Sequence, residues 1–149
     1  MVNQLKLDKT YIKMAEVLAE LSYAQRAKVG CLVVMDTHII SEGVNGTPAG
    51  FDNNCEEYNF LEEMTTKPEV LHAESNAIAK LAKSTQSSLG ATLYTTRSPC
   101  FDCAKIIIQA GIKRVVYKDE YRKTDGIRLL IKAGLDILHW NEVLNYGST

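Results

Sequence analysis

Residues 91–117 read ATLYTTRSPCFDCAKIIIQAGIKRVVY and predict a strand, a helix and a second strand in succession. The apolar and β-branched runs over Ala91–Thr96 and Arg114–Tyr117 are typical of buried strands. Between them, Cys100–Ala110 is predicted to be a helix, and Gly111 follows at the position where helices commonly end. Because strands joined by a helical crossover pair in parallel, this segment predicts an α/β fold.

The alternation of helices and strands extends on both sides of this segment. Towards the C-terminus, a helix is predicted over Gly126–Ala133, with Gly134 at its end, and a strand over Leu135–His139. On the N-terminal side, Ala73–Ala82 is predicted to be helical. The second half of the chain therefore contributes parallel strands to a sheet that helices cover.

The N-terminal part predicts one helix followed by a β-hairpin. Apolar residues recur at helical spacing from Leu7 to about Gln25, with Asp8 as a plausible N-cap. Short apolar runs over Val29–Met35 and His38–Val44 predict two paired strands. We therefore expect a single domain over residues 1–149, built on a five-stranded mixed sheet flanked by helices.

Residues 45–67 interrupt this pattern of regular elements. Glycines and a proline punctuate the segment, and acidic and aromatic residues follow them. An irregular stretch of about 20 residues is uncommon inside a compact domain and is usually functional or disordered. Because this one contains Phe51, Tyr58, Phe60 and Leu61, we expect it to pack against the rest of the protein.

The composition favours a globular protein that acts on a small substrate. The chain has 149 residues, of which 46% are hydrophobic and 23% charged, and its formal net charge is −1. This charge argues against general binding to nucleic acid or to an anionic membrane, although local cations could still hold a phosphate. No apolar run reaches the ~18 residues of a membrane-spanning helix. The N-terminus lacks a signal-peptide pattern, which predicts an intracellular protein with reduced cysteines.

Two short motifs together predict a metal site. The sequence contains His72-Ala73-Glu74 and, further on, Pro99-Cys100-Phe101-Asp102-Cys103. Each motif is weak alone, but together they offer one imidazole, two thiolates and a carboxylate. Three protein ligands with one open position are the arrangement of a catalytic zinc ion. We therefore predict that His72, Cys100 and Cys103 bind zinc and that Glu74 moves protons.

The spacing within each motif agrees with a common site. Cys100 and Cys103 are three residues apart and share one face of a helix, and Pro99 suits its first turn. His72 and Glu74 would diverge on a regular helix, so His72 is predicted to precede the first helical turn. The metal would then lie between two helix N-termini, whose partial positive charge favours thiolates and hydroxide.

Two other interpretations of the cysteines remain open. Cys100 and Cys103 could form a redox-active pair at the start of a helix, as in thioredoxin-like proteins, but the His-x-Glu motif would then have no role. Alternatively, the zinc ion could be structural, with Cys55 or His139 as a fourth protein ligand.

Four segments carry a resemblance to a known family. Residues 43–51, GVNGTPAGF, match the pattern G-x-N-G-x-P-x-G, and the other three are HAESNAI (72–78), SPCFDCAKI (98–106) and IQAGIK (108–113). They resemble the corresponding loop and zinc segments of deoxycytidylate (dCMP) deaminases, in the cytidine deaminase superfamily. The resemblance extends over roughly residues 22–134. In its compact length the chain is similar to the phage and bacterial members of the family.

This resemblance implies a three-layer α/β/α cytidine-deaminase-like fold and the hydrolytic deamination of dCMP to dUMP. Glu74 would take a proton from a zinc-activated water and deliver it to the ring nitrogen and then to the leaving amine, which departs as ammonia. The family supplies dUMP for thymidylate synthesis, and its members are typically homohexamers that dCTP activates and dTTP inhibits. A cytoplasmic location, in a bacterium or a phage-infected cell, is also implied.

The resemblance suggests residues that contact the substrate. Asn45 matches an asparagine that contacts the sugar hydroxyl in the superfamily, although it could instead be an asparagine that tolerates left-handed backbone before Gly46. Ala73 and Ser98, beside the zinc motifs, are also expected to contact the substrate. Arg26 is the first candidate to bind the 5′-phosphate. Tyr121 and Lys123 are further candidates because they follow the predicted fourth strand, but they could equally belong to an ordinary solvated surface.

The glycine-rich loop is predicted to bind the regulatory nucleotide. Backbone N–H groups at Gly43, Asn45 and Gly46 could cradle phosphates, and Mg²⁺ could accompany the triphosphate. Phe51 could stack on the effector base or belong to the core. No second set of metal ligands is evident around Cys55, so we predict one zinc ion per chain.

Two other functions remain open. The chain could be a different zinc-dependent deaminase, acting on cytidine, guanine or a tRNA adenosine, although a net charge of −1 disfavours the tRNA substrate. It could also be a non-catalytic zinc module that senses deoxynucleoside triphosphates. Glu74 counts against the second alternative, because a binding module does not need a proton carrier.

Overall fold

The computed structural model describes residues 3–145. Within this range the chain forms five helices and seven strands, in an order that alternates helices and strands over its second half. In chain order the elements are α1 (Gln4–Ala19), β1 (Gly30–Met35), β2 (His38–Val44), β3 (Glu56–Tyr58), β4 (Met64–Thr66), α2 (Ala73–Leu81), β5 (Thr92–Arg97), α3 (Phe101–Gln109), β6 (Arg114–Asp119), α4 (Asp125–Lys132), β7 (Asp136–His139) and α5 (Trp140–Asn145).

The main sheet has five strands in the order β2-β1-β5-β6-β7. Strand β1 pairs antiparallel with both β2 and β5, whereas β5, β6 and β7 are parallel. The predicted hairpin and the predicted parallel half of a mixed sheet are therefore both confirmed. Strands β3 and β4 form a separate two-stranded antiparallel sheet.

Alternate residues of the central strands face two separate apolar cores. Cys31 and Val33 of β1 pack in one core with buried residues of α2, α3 and α4. Leu32 and Val34 pack in the other core with residues of α1 and α5. This alternation follows from the two-residue period of a strand and produces three layers, with the sheet between two sets of helices.

Helix α1 begins one turn earlier than its sequence predicts. Asn3 is the N-cap, because its side chain accepts a hydrogen bond from the backbone N–H of Lys6 at 3.1 Å. The prediction of Asp8 as N-cap is wrong. Asp8 is buried inside the helix, where its carboxylate accepts hydrogen bonds from the Arg114 guanidinium at 2.8 and 2.7 Å and from the Tyr94 hydroxyl at 2.6 Å.

The same helix also ends earlier, at Ala19 rather than near Gln25. Residues 20–29 leave the helix because side chains elsewhere supply partners for them. The Ser22 hydroxyl donates to the carbonyl oxygen of Asn45 at 2.7 Å. The Glu56 carboxylate accepts hydrogen bonds from the backbone N–H groups of Gln25 and Arg26, which lie a few residues after Ser22.

Residues 45–67 contain the small β3–β4 hairpin, which the sequence did not predict. Its strands have three residues each, too few to show a hydrophobic period. The expectation that the aromatic and leucine side chains pack is wrong, since Phe51, Tyr58, Phe60 and Leu61 are 58%, 70%, 93% and 62% exposed. The hairpin is anchored instead through residues at its start, where Cys55 and Glu56 are buried.

The remaining predicted elements are present, with boundaries that differ by one or two residues. Helix α5 was not predicted, since its six residues directly follow β7 without a turn signal. Among residues 3–145, no helix combines the length and the apolar character that crossing a membrane requires.

Candidate active site

The predicted metal ligands meet where two helices begin. His72 is the N-cap of α2, with extended backbone angles of −74° and 156°, and Cys100 is the N-cap of α3, with −71° and 171°. Cys103 lies one turn into α3 and is buried. The prediction that His72 precedes the first turn of its helix is confirmed. The positive ends of both helix dipoles therefore point towards the same group of side chains.

The three side chains fit a tetrahedral zinc ion. Their ligand atoms lie within 4.8 Å of one another, and Nδ1 of His72 is 3.4 Å from each of the two sulfurs. Bonds of about 2.3 Å to sulfur and about 2.0 Å to nitrogen place tetrahedral ligands about 3.6 Å apart. His72, Cys100 and Cys103 can therefore hold zinc without a large rearrangement, and a fourth position remains for water.

No further group of three metal-binding side chains occurs in residues 3–145. Cys55 and His139, the alternative fourth ligands, lie outside the group that His72 forms with the two cysteines. Cys55 is buried, with its thiol 3.5 Å from the carbonyl oxygen of Asn53. His139 contacts the ring of Tyr117. The arrangement therefore favours a zinc site with three protein ligands over a structural site with four.

The thiol of Cys100 is prepared to act as a thiolate. A hydrogen bond from the Cys103 thiol, together with His72 and the backbone N–H of Cys103, lowers the pKa of Cys100 to about 4. The backbone N–H of Cys103 lies 3.5 Å from the Cys100 sulfur. A thiolate at a helix N-terminus beside an imidazole is the form that binds zinc.

Close packing against the sheet fixes the start of each helix. A Cβ atom on Gly43 of β2 would collide with the carbonyl oxygen of Ala73, so glycine lets α2 approach the sheet. Asn76 and Ser41 tie the same helix to β2, through hydrogen bonds of 3.0 Å to the carbonyl oxygen of Val44 and 2.6 Å to that of Ala77. The backbone that carries His72 and Glu74 is therefore held by short contacts.

Gly126 has the corresponding role beside α3. A Cβ atom there would collide with the carbonyl oxygen of Pro99 and lie 2.8 Å from that of Cys100. Helix α4 can therefore pack directly against the turn that presents the first zinc-binding cysteine.

Glu74 is buried beside the metal ligands. It is 4% exposed, and its Oε1 accepts a hydrogen bond of 2.9 Å from the Thr95 hydroxyl. Burial raises the pKa of Glu74, and hydrogen bonds from the backbone and from Thr95 oppose that change. A raised pKa makes this carboxylate a stronger base, which suits a group that takes up and passes on protons.

All five predicted substrate residues line one cavity of about 390 Å³. The cavity also reaches the zinc corner, the group formed by His72, Glu74, Cys100 and Cys103. This volume lies in the range of small-molecule sites. The lining includes the predicted residues Arg26, Asn45, Ala73, Ser98 and Tyr121. It also includes three members of the zinc corner, namely His72, Glu74 and Cys100.

Asn45 braces the wall of this cavity with its side-chain amide. Its Oδ1 accepts a hydrogen bond of 2.8 Å from the backbone N–H of Val29, and its Nδ2 donates one of 2.7 Å to the carbonyl oxygen of Ala27. Asn45 does not have a positive φ, so the alternative of a left-handed turn residue is wrong. A sugar contact by Asn45 stays a prediction.

The predicted effector residues do not line this cavity, apart from Asn45. Gly43 belongs to β2 and pairs with Cys31. The backbone N–H of Gly46 already donates to the carbonyl oxygen of Leu71 at 3.1 Å. Phe51 is exposed, which excludes the alternative that it belongs to the core. The effector site stays a prediction, and a phosphate cradle at Gly46 would have to displace a backbone hydrogen bond.

Sequence reasoning missed several residues of the cavity wall. The additional polar and charged members are Glu56, Thr66, Arg97 and Arg122. Arg97 ends β5 directly before Ser98, and its guanidinium lies 4.8 Å from the centre of the Tyr121 ring. The position of Arg97 at the carboxyl end of a parallel strand was a signal that could have found it. Glu56 and Thr66 had no such signal, because they reach the cavity through the unpredicted β3–β4 hairpin.

Comparison with known proteins identifies the family. Residues 5–119 match the family described as the cytidine and deoxycytidylate deaminase zinc-binding region. The chain belongs to this deaminase family. The deoxycytidylate deaminase of Enterobacteria phage T2 is 31% identical over 183 residues, which cover 92% of this chain and 96% of that protein. The deoxycytidylate deaminase of Mycobacterium phage D29 is 35% identical, and the match covers 76% of this chain and 94% of that protein.

Solved structures agree with this membership of the deaminase family. The crystal structure of the dCMP deaminase from cyanophage S-TIM5 in complex with dCMP and dUMP is 45% identical, with a TM-score of 0.84, and covers 93% of this chain and 98% of that chain. The apo form of the same enzyme is 43% identical, with a TM-score of 0.80. The predicted cytidine-deaminase-like fold and the resemblance to phage dCMP deaminases are therefore confirmed.

Proposed function

We propose that the protein catalyses the zinc-dependent hydrolytic deamination of dCMP to dUMP, with release of ammonia. The observation that carries this proposal is the cavity that joins the zinc ligands and Glu74 to a group of cationic side chains. Relatives named deoxycytidylate deaminase and the S-TIM5 enzyme bound to dCMP and dUMP support the choice of substrate. The product would serve thymidylate synthesis.

Zinc held by His72, Cys100 and Cys103 would supply Lewis-acid activation of a water, lowering the pKa of that water towards ~7. Glu74 would accept one proton of this water and donate it to N3 of the cytosine ring as the water oxygen bonds to C4. It would then take the second proton from the new C4 hydroxyl and pass it to the amine, so that the C4–N bond breaks, ammonia leaves and the C4 carbonyl of uracil forms. The Thr95 hydroxyl keeps Glu74 in position through its 2.9 Å hydrogen bond.

The charge of the cavity lining suits a 5′-phosphate. The cavity lining has four cationic side chains and only two carboxylates. The cationic side chains are Arg26, Arg97, Arg122 and Lys123. A charge-assisted hydrogen bond from a guanidinium to a phosphate is strong, and its planar donors match the phosphate geometry. Two contacts of Arg26 support this proposal: Glu56 accepts hydrogen bonds from the backbone N–H groups of Gln25 and Arg26, and Nη1 of Arg26 lies 3.3 Å from the Thr66 hydroxyl.

A panel of cytosine compounds tests the proposed reaction. We expect stoichiometric ammonia and dUMP from dCMP, and a much lower kcat/KM for deoxycytidine because it lacks the phosphate. Equal rates for deoxycytidine and dCMP would show that the cationic side chains do not select the substrate through its 5′-phosphate. No ammonia from any cytosine, guanine or adenosine compound would instead favour the non-catalytic sensing module.

A different deaminase is the second candidate. Cytidine and guanine lack the phosphate that the cationic side chains suit, and a tRNA would have to approach a protein whose formal net charge is −1. Ammonia release from these compounds in the same panel, without release from dCMP, would identify this alternative.

We also propose regulation by dCTP and dTTP in a homohexamer working in the cytoplasm, with Mg²⁺ accompanying the triphosphates. Resemblance to the family supports the regulation, the assembly and the location. The assembly is also supported by four exposed apolar side chains between residues 51 and 61, which are typical of surfaces that a partner covers. Light scattering should show six chains, and the rate with dCMP should rise with dCTP and fall with dTTP. A monomer that is indifferent to both nucleotides would contradict this proposal.

A further inference from the structure

Glu56 contains an unusual buried atom. Its Oε1 accepts hydrogen bonds from the backbone N–H groups of Gln25 and Arg26, at 2.8 and 3.2 Å. Its Oε2 has no partner, and no other buried side-chain oxygen or nitrogen in residues 3–145 shares this condition. The residue is only 4% exposed. Since a buried acceptor without a donor costs free energy, its presence calls for a group that satisfies it.

The location of Glu56 indicates where that donor comes from. Glu56 lines the cavity that also holds Glu74 and the zinc ligands. Glu57, the next residue of β3, is exposed and does not line the cavity. The unpaired carboxylate oxygen therefore belongs to the wall of the substrate site, where a bound ligand can supply the missing hydrogen bond.

The chemistry of the substrate narrows the choice of donor. The neutral base and sugar of dCMP offer two hydrogen-bond donors, the exocyclic amine and the 3′-hydroxyl. The amine is the leaving group, so it must face Glu74 and the zinc ligands. The phosphate, the ring carbonyl and N3 are acceptors, which a carboxylate repels. Of the two donors, only the 3′-hydroxyl is free to reach another part of the cavity.

We propose, resting on the proposed function, that Oε2 of Glu56 accepts a hydrogen bond from the 3′-hydroxyl of the deoxyribose. Glu56 is thus a specificity-determining residue, which selects nucleotides with a free 3′-hydroxyl. The last torsion of a glutamate is soft, so a small rotation turns Oε2 towards the cavity. Through its other oxygen, Glu56 holds the backbone of Arg26, which places the sugar contact next to the candidate phosphate ligand.

This assignment differs from the sugar contact that family resemblance predicts for Asn45. The amide of Asn45 already bonds the backbone of Ala27 and Val29 and serves as a brace for the wall. Glu56 offers a charged acceptor with no competing partner. A hydrogen bond to a charged group is stronger than one to a neutral amide, so the contact with Glu56 has the larger effect on substrate selection.

The test compares dCMP with its 3′-deoxy analogue, 2′,3′-dideoxycytidine monophosphate. We expect the zinc-loaded wild-type enzyme to lose about tenfold or more in kcat/KM when the 3′-hydroxyl is absent, chiefly through KM. Glu56→Gln keeps an amide oxygen for the two backbone N–H groups but presents an NH₂ group in place of Oε2. The preference for dCMP should then shrink to about threefold or less, as for a neutral hydrogen bond.

Glu57→Gln is the matched control, because it removes an equal charge from the neighbouring exposed position and should keep the wild-type preference. Wild-type enzyme that uses both nucleotides equally well would overturn the proposal, whether or not any variant folds. A full preference retained in Glu56→Gln, with normal zinc content and thermal unfolding, would overturn it too and leave the sugar to Asn45. Failure of the wild-type protein to deaminate dCMP at all would instead reject the proposed function.

Discussion

The cavity is lined by two groups of residues that are held differently. The zinc corner, consisting of His72, Glu74, Cys100 and Cys103, lies on two helix N-termini that pack closely against the sheet or a neighbouring helix. The rim, which is proposed to bind the phosphate, lies on connecting segments and is mostly exposed, and its members are Arg26, Tyr121, Arg122 and Lys123. This difference indicates that chemistry depends on a rigid scaffold, whereas ligand selection is assigned to more adaptable segments.

The largest effect is expected in the zinc corner. Glu74→Gln removes the group that carries protons but leaves all three zinc ligands in place. We expect kcat with dCMP to fall by about 10²- to 10⁴-fold, the usual contribution of general acid–base catalysis. Zinc content should be unchanged, which elemental analysis of the same sample can check. A variant that kept most of its activity would show that another group moves the protons.

A second change tests whether the corner depends on close packing. In Gly43→Ala the new methyl group collides with the carbonyl oxygen of Ala73 and lies 2.7 Å from the backbone nitrogen of Ala77. We expect the free energy of unfolding to fall by about 1–3 kcal/mol, as for other overpacked sites, and zinc to be lost more readily.

The matched control for this change is Gly46→Ala, three residues further along the chain and outside β2. No atom lies within 4 Å of the methyl group it would add, and Gly46 does not have a positive φ. Its unfolding midpoint should stay near that of the wild type. Equal losses in both variants would mean that the loop, rather than the contact with α2, sets the stability.

The rim should respond through substrate binding alone. Arg26→Ala is expected to raise KM for dCMP by about tenfold and to change kcat little, because a charged hydrogen bond to the phosphate is lost. Turnover of deoxycytidine should not change. Lys28→Ala serves as the control, since that lysine is exposed and does not line the substrate cavity. An equal loss for deoxycytidine would exclude phosphate binding as the role of Arg26.

The smallest effect on activity is expected outside both regions, at Asp8. Burial alone would raise the pKa of Asp8, but hydrogen bonds from Arg114, Tyr94 and Gln4 outweigh it and hold the pKa below its ordinary value. Because the folded pKa is the lower one, this carboxylate stabilises the fold above about pH 4. The stabilisation is lost as pH falls through the folded pKa.

Denaturant unfolding between pH 6 and pH 2.5 checks this prediction. The wild type should lose stability more steeply in acid than Asp8→Asn does, and Asp8→Asn should be the less stable protein at pH 6. Both proteins should have the same KM for dCMP at neutral pH. Parallel pH profiles for the two proteins would contradict the assignment.

The sequence predicted the zinc corner better than the rim, for a physical reason. The corner depends on local spacing, since Cys100 and Cys103 share one helical face and His72 caps its own helix. The strand and helix order of the sheet was predictable for the same reason, because each element has its own periodicity. Even Pro99 and Gly111, at the two ends of α3, carried information about where that helix begins and ends.

The missed features depend on contacts between distant parts of the chain. Asp8 is 106 residues from Arg114, and Glu56 is 31 residues from Gln25, whose backbone it holds. Neither pairing leaves a pattern in the local sequence, which therefore wrongly predicts Asp8 as a cap and a later end for α1. The exposure of Phe60 was missed because it lies in the connection between β3 and β4, which are too short to reveal a hairpin in the sequence.

The most direct test of the central claim is the zinc-to-chain ratio of the folded protein, measured by native mass spectrometry. We expect one zinc ion per chain in the wild type and in Cys55→Ser, and none in His72→Ala. A folded wild-type protein without zinc, or a His72→Ala variant that still held one ion per chain, would contradict the assignment of His72, Cys100 and Cys103 as the metal ligands.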